Sequence, residues 1–207
     1  MDDDTLRRGV PSNHSVYGDA VAILAGDALL TDAFKVIATR GVEKGLAPEA
    51  ACAIITDVAL AAGSAGMVGG QAFDLALEGR QVSLDEIESV HLLKTSALIE
   101  ASVVAGGRAG GAGERELTAL KKYGRALGLA FQIIDDVLDI EGGAGLGKVR
   151  GSDERRDKAT YPAVMGVEVS KDKARDLTAQ AIDCLKGFGD NAIALTELAR
   201  YLGNRKY

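Results

Sequence analysis

The stretch 128–140, Gly-Leu-Ala-Phe-Gln-Ile-Ile-Asp-Asp-Val-Leu-Asp-Ile, reads as the interior of a protein, yet it holds Asp135, Asp136 and Asp139. Residues three and four apart share a helix face, so Asp139 shares one with Asp135 and with Asp136, and Gln132 lies a turn earlier on the same side. A buried, unpaired carboxylate costs several kcal/mol, so any fold containing this helix must compensate for three of them. Arginine or lysine from neighbouring helices is one compensation. A divalent cation is the other: Mg²⁺ takes oxygen ligands, typically a few carboxylates, with the rest from substrate phosphates and water. The spacing alone leaves both open.

The rest of the chain reads as helices punctuated by glycine and proline. Residues 1–13 are polar and densely charged. A helix is expected after Ser15, with Val16, Ala20, Ile23, Leu24, Phe34 and Ile37 at helical spacing and Gly41 and Gly45 at its end. Pro48 suits a helix start, and a long apolar helix, rich in small residues from Gly63 to Gly70, is expected to reach about Gly79. Ser83 with Glu86 three positions on is a capping box, opening a helix to Gly106–Gly107. After a glycine-rich turn at 106–113, the acidic-stripe helix runs from near Glu114 to Glu141. Gly142 to Gly151 forms a loop, Tyr161–Pro162 restarts a short helix, Ser170 caps another to about Lys186, and residues 190–202 form the last. No strand-like alternation of useful length and no internal repeat is present. One domain, 1–207, is expected.

Composition agrees with packed helices: hydrophobic residues are 47%, aromatics only 4%, and there are 3 prolines. The 26 glycines work against helices unless neighbouring helices approach closely. A net charge of -6 argues against nucleic acid as a partner, because phosphate backbones select basic surfaces. Cys52 and Cys184 have no metal-ligand spacing and are expected as buried, reduced thiols. No uninterrupted apolar run has the length of a membrane span and the first residues are acidic, so a cytoplasmic protein is expected.

The run Phe131-Gln132-Ile133-Ile134-Asp135-Asp136-Val137-Leu138-Asp139 resembles the second aspartate-rich motif of the trans-prenyl diphosphate synthases. Further segments resemble the same family in the same order. They are Asp3-Asp4-Thr5-Leu6-Arg7-Arg8-Gly9, Ile23-Leu24-Ala25-Gly26-Asp27-Ala28-Leu29, Gly69-Gly70-Gln71-Ala72-Phe73-Asp74, His91-Leu92-Leu93-Lys94-Thr95, and Leu146-Gly147-Lys148 followed by Asp153 and Lys158-Ala159-Thr160-Tyr161-Pro162. The resemblance covers essentially the whole chain and is closest to bacterial farnesyl and geranylgeranyl diphosphate synthases.

The resemblance implies an all-α antiparallel helical bundle of the isoprenoid synthase type. It implies Mg²⁺-dependent head-to-tail condensation of isopentenyl diphosphate with an allylic diphosphate, in a homodimer. By resemblance Asp135 and Asp139 bind Mg²⁺, with Asp136 supporting them. Lys94, Thr95, Gln132, Lys148 and Lys158 act on the allylic diphosphate, Arg7 binds the same group, and Arg8 binds isopentenyl diphosphate. Of the family's first aspartate-rich motif only its last member is present, as Asp2, a further metal candidate. The helices that normally precede that motif are missing, so the chain reads as the carboxyl-terminal portion of such an enzyme, with apolar helix faces left uncovered.

Taken singly, most of these residues have plainer readings. Arg7–Arg8 beside Asp2–Asp4 is a solvated charge cluster, Lys94 a surface lysine, and 142–151 a linker or a flap. His14 and His91 read as surface or packing residues, Asp27 and Asp74 as buried hydrogen-bonding groups, and Gly66, Gly69 and Gly70 as close-packing positions. Alternative functions are a non-catalytic subunit of a complete synthase and a terpene cyclase on the same scaffold.

Overall fold

Glycine and proline divide the chain much as the sequence reading expects, and the computed structural model describes residues 3–7, 9–141 and 160–205. Two short strands, β1 (Leu6–Arg7) and β2 (Val10–Pro11), pair antiparallel ahead of α1 (Asn13–Tyr17). Gly18, at φ +81°, separates α1 from α2 (Asp19–Val36), and a π-helical turn, Ile37–Gly41, ends the segment. None of the residues of α2 is buried; Ile23, Leu24 and Leu29 are 64%, 67% and 74% exposed. The helical spacing there is real, but the face it builds lies on the surface.

Helix α3 (Pro48–Ala62) starts with proline at its first turn. The single long helix expected to about Gly79 does not form: residues 63–66 break it, and α4 spans Met67–Leu77. Gly66 makes the break, with φ −137° and ψ −123°, and a Cβ there would meet the Ala61 carbonyl oxygen at 2.1 Å. Length and composition of Pro48–Leu77 taken whole suffice for a membrane span, a point the sequence reading missed. Its two helices have 15 and 11 residues, or roughly 22 and 16 Å, each short of a hydrocarbon core of about 30 Å.

The capping box forms as expected: Ser83 Oγ accepts from the Glu86 N–H and Glu86 accepts from the Ser83 N–H at 2.8 Å, opening α5 (Leu84–His91). This helix passes through a π-helical turn, Leu92–Ser96, into α6 (Ala97–Ala109). Gly110–Gly113 then turns the chain into α7 (Glu114–Glu141), whose 28 residues match the sequence expectation at both ends. Acidic residues in its first turn suit the positive end of the helix dipole, and Glu116 also accepts from the Gly113 N–H at 2.6 Å.

Helix α8 (Tyr161–Met165) is followed by α9 (Val167–Cys184), a 3₁₀ stretch, Lys186–Ala192, and α10 (Ile193–Gly203). Ser170 is not the cap expected of it. It lies inside α9, fully buried, and donates to the Gly166 carbonyl, while Gly166 at φ +81° starts the helix. The two cysteines are free but not buried: Cys52 is exposed and Cys184 half-buried. Asp27 is exposed on α2, contrary to its reading as a buried hydrogen-bonding residue.

The core forms around α7. At one end Val104, Leu117, Leu120, Tyr123, Leu127, Ala181 and Leu185 join α6, α7 and α9, and the Tyr123 hydroxyl donates to the Leu195 carbonyl of α10 at 2.8 Å. At the other end Ile87, Leu129, Ile133, Tyr161, Ala174 and Leu177 bring α5, α8 and α9 against the acidic-stripe half. Lys171 of α9 reaches Glu141 at 2.8 Å and fixes the last turn of α7.

Candidate functional site

The site is built where α7 passes the π-helical turn 92–96. Its backbones meet because two glycines allow it. A Cβ on Gly128 would lie 2.5 Å from Ser96 Cα, and one on Gly70 of α4 would lie 2.4 Å from the Lys94 nitrogen. The close-packing reading of Gly70 therefore holds, and the residues it packs against are the lysine and threonine singled out in the sequence. A π-helical turn inside an α-helix is frequent at functional sites because it re-aims side chains.

Thr95 donates to Gln132 Oε1 at 2.8 Å, joining the two helices through side chains 37 residues apart in sequence. Lys94, one residue away, holds Asp74 of α4 at 2.7 Å, with both groups mostly shielded. Asp74 is thus a structural partner, as its reading held, and its partner is a candidate site cation. Along α7, Asp135 follows Gln132 by three residues and pairs with Arg205 at 2.8 Å. The Arg205 guanidinium also lies over the Phe131 ring, 5.1 Å from its centroid. Asp135 and Asp139 share a face by spacing.

Asp136 points elsewhere, and here the structure corrects its reading as a metal-site carboxylate. It is 5% exposed. One oxygen accepts the Tyr161 N–H at 2.9 Å and meets His91 Nε2 at 3.4 Å; the other meets Gln132 Nε2 at 3.2 Å. Tyr161 in turn donates to Glu88 at 3.1 Å, and its ring stacks with His91 at 6.4 Å. Burial, with the Glu88 carboxylate, pushes the Tyr161 hydroxyl up to about 12. His91 is the packing residue expected, but packed against a carboxylate.

Of the residues nominated from sequence, Lys94, Thr95, Gln132 and Asp135 belong to one neighbourhood linked through the π-helical turn and α7. Arg7 lies exposed on β1, and among the described residues no hydrogen bond or ion pair ties it to that neighbourhood. Asp2, Arg8, Lys148 and Lys158, with the 142–151 loop, lie outside the described residues. Arg205 and Tyr161 were missed as site residues. No periodicity could have shown Arg205, because its link to Asp135 spans 70 residues.

Among the described residues no group of three or more histidine, cysteine or acidic side chains forms a cage for a metal. The donors available are hard carboxylate oxygens on one helix face, with a cation already drawn to Asp135. That set suits Mg²⁺ held by one or two carboxylates with phosphate completing its shell.

The polyprenyl synthetase profile matches residues 1–194. The chain is 43% identical to the heterodimeric geranylgeranyl pyrophosphate synthase large subunit 1, chloroplastic, of Arabidopsis thaliana, covering 100% of this chain and 57% of that protein. It is 46% identical to the farnesyl diphosphate synthase of Escherichia coli, covering 99% of this chain and 70% of that one. Helicobacter pylori geranyltransferase, solved in complex with magnesium and isoprenyl diphosphate, matches with a TM-score of 0.83 at 29% identity, over 99% of this chain and 66% of that one. This chain therefore spans about 57–70% of the length of these relatives.

Proposed function

The chain belongs to the polyprenyl synthetase family, with the all-α fold of the isoprenoid synthases, and from that premise we propose that it is a prenyltransferase chain acting on isopentenyl diphosphate and an allylic diphosphate. The observation that carries this reading is the Thr95–Gln132 hydrogen bond, which joins a lysine-bearing turn to the acidic stripe. The reaction breaks the allylic carbon–oxygen bond, and diphosphate leaves with the electron pair. The double bond of isopentenyl diphosphate then attacks the allylic cation, and a proton is lost. The slow part is the growth of negative charge on the leaving group, which fixed positive charge and donors offset.

Lys94 supplies a cation for that group, and Asp74 holds it ready across the shielded side of the π-helical turn. Gln132 supplies an amide N–H from α7. Asp135, with Asp139, is proposed to hold Mg²⁺. When bound, the ion supplies positive charge to the leaving oxygens. Arg205 already marks Asp135 as a place where positive charge collects. Lys148, Lys158, Arg7, Arg8 and Asp2 remain part of the proposal on family resemblance.

The unburied apolar face of α2 favours a chain that works with a partner, and a homodimer is proposed through it. That face equally favours a second reading, a subunit that modulates another synthase. Incubation with Mg²⁺, isopentenyl diphosphate and geranyl diphosphate, using Asp135→Ala as the blank, tests the main reading. A longer prenyl diphosphate above the blank is expected. A folded chain that neither turns over nor binds Mg²⁺ with inorganic diphosphate in calorimetry would overturn it. Turnover conferred only on a co-purifying synthase would favour the second reading.

A further inference from the structure

Asp136 carries information that its motif does not. A carboxylate has no hydrogen to give, so the Gln132 atom that faces it at 3.2 Å must be the amide nitrogen. That fixes the other end: the Gln132 oxygen faces Thr95, and the Thr95 hydroxyl spends its only hydrogen on that oxygen at 2.8 Å. An amide that could otherwise be read either way round has one orientation here. Gln132 then keeps one N–H to present outward, and Thr95 presents none while its bond holds.

The second Asp136 oxygen accepts the Tyr161 N–H at 2.9 Å, directly after residues 142–159, and faces His91 Nε2 at 3.4 Å. By the same argument His91 carries its hydrogen on Nε2, leaving Nδ1 as the buried atom without a partner. Both oxygens are thus committed to protein donors from α5, α7 and α8, in a pocket that leaves the residue 5% exposed. A cation reaching Asp136 must first take the Tyr161 N–H out of its bond, and a buried N–H without an acceptor is costly.

We propose that Asp136 is a positioning residue and not a metal ligand: it sets the Gln132 amide with one N–H facing the site and pins the chain at Tyr161, leaving the metal to the other carboxylates of the stripe. What Gln132 meets rests on the prenyl-transfer reading; its orientation does not.

The test uses the ¹⁵N-labelled chain with Asp136→Asn, Asp135→Asn and Thr95→Val. Calorimetry with Mg²⁺ and inorganic diphosphate is expected to show Asp136→Asn within about threefold of the parent and Asp135→Asn weakened more than about tenfold. In Asp136→Asn the Gln132 side-chain amide signals shift, because the new amide brings a donor where an acceptor stood. The Tyr161 N–H exchanges faster by about tenfold or more. Thr95→Val moves the Gln132 signals but leaves Tyr161 exchange near the parent value, and Thr95→Ser restores both. Loss of Mg²⁺ binding in Asp136→Asn equal to that in Asp135→Asn overturns the proposal, as do unchanged Gln132 and Tyr161 signals. If Asp136→Asn does not fold, the Thr95 pair decides: Gln132 signals indifferent to Thr95→Val overturn the orientation. If the parent binds neither Mg²⁺ nor diphosphate, the functional reading fails while the resonance signals still judge the positioning role.

Discussion

Replacing Gly128 by alanine puts the contact that builds the site under direct test. The added Cβ would sit 2.5 Å from Ser96 Cα, 2.6 Å from its Oγ and 2.7 Å from its Cβ. Carbon atoms rest at about 3.5 Å or more, so α7 and the π-helical turn must separate by roughly 1 Å. A rotamer change relieves only the Oγ contact, because the other two atoms belong to the stem of Ser96. Overpacking of this kind costs about 1–3 kcal/mol, which for a chain of this size lowers Tm by roughly 2–12 °C. The same displacement acts on the adjacent Thr95–Gln132 bond, now 2.8 Å, and about 1 Å more takes it beyond hydrogen-bonding distance. Binding of Mg²⁺ with diphosphate should therefore fall along with stability. Gly26→Ala is the matched control. It lies in α2 with nothing within 4 Å of the added methyl, and should gain about 0.5–1 kcal/mol from helix propensity. Urea unfolding followed by far-UV circular dichroism, at one protein concentration, measures both. A Gly128→Ala chain as stable as the parent would refute the close approach of α7 to the turn.

Three further outcomes follow from single contacts. Ser83→Ala removes a helix cap and should cost about 1 kcal/mol in urea unfolding. The Ser83 N–H holds the Glu86 carboxyl below its usual 4.5, so its contribution is present above that value and is lost as pH falls through the lower folded one. Parent and Glu86→Gln should differ at pH 7 and converge in acid; parallel pH profiles would refute this. Glu100 behaves oppositely: burial, against the opposing pull of Arg125 and Lys121, raises its carboxyl above 4.5, so the stability it gives is full below that value and declines as pH rises through the folded one. Glu100→Gln should melt higher than the parent at pH 7, with the gap closing below pH 4.5. Arg205→Met frees the Asp135 carboxylate, so Mg²⁺ should bind about two- to fivefold more tightly by calorimetry, the range expected for a half-exposed ion pair; unchanged or weaker binding would count against competition at Asp135.

Local chemistry was legible in the sequence where the deciding atoms are close along the chain. Pro48 at a first turn, the Ser83–Glu86 box and the bounds of α7 each depend on residues within about one helical turn, so spacing alone located them. The stripe on α7 could also be read, because three carboxylates in an apolar helix demand an explanation wherever that helix packs. Direction around the helix could not. Asp135 and Asp136 are about 100° apart, so no straight helix aims both at one point, and only the arrival of His91 and Tyr161 decides which one turns inward. Neighbours distant in sequence likewise made Lys94 the partner of Asp74 and Asp135 that of Arg205. The apolar spacing of α2 predicted a helix correctly but not its burial, because burial depends on what packs against a face, and the described residues put nothing there. A sequence sets which side chains share a face; the packing of remote segments sets what that face meets.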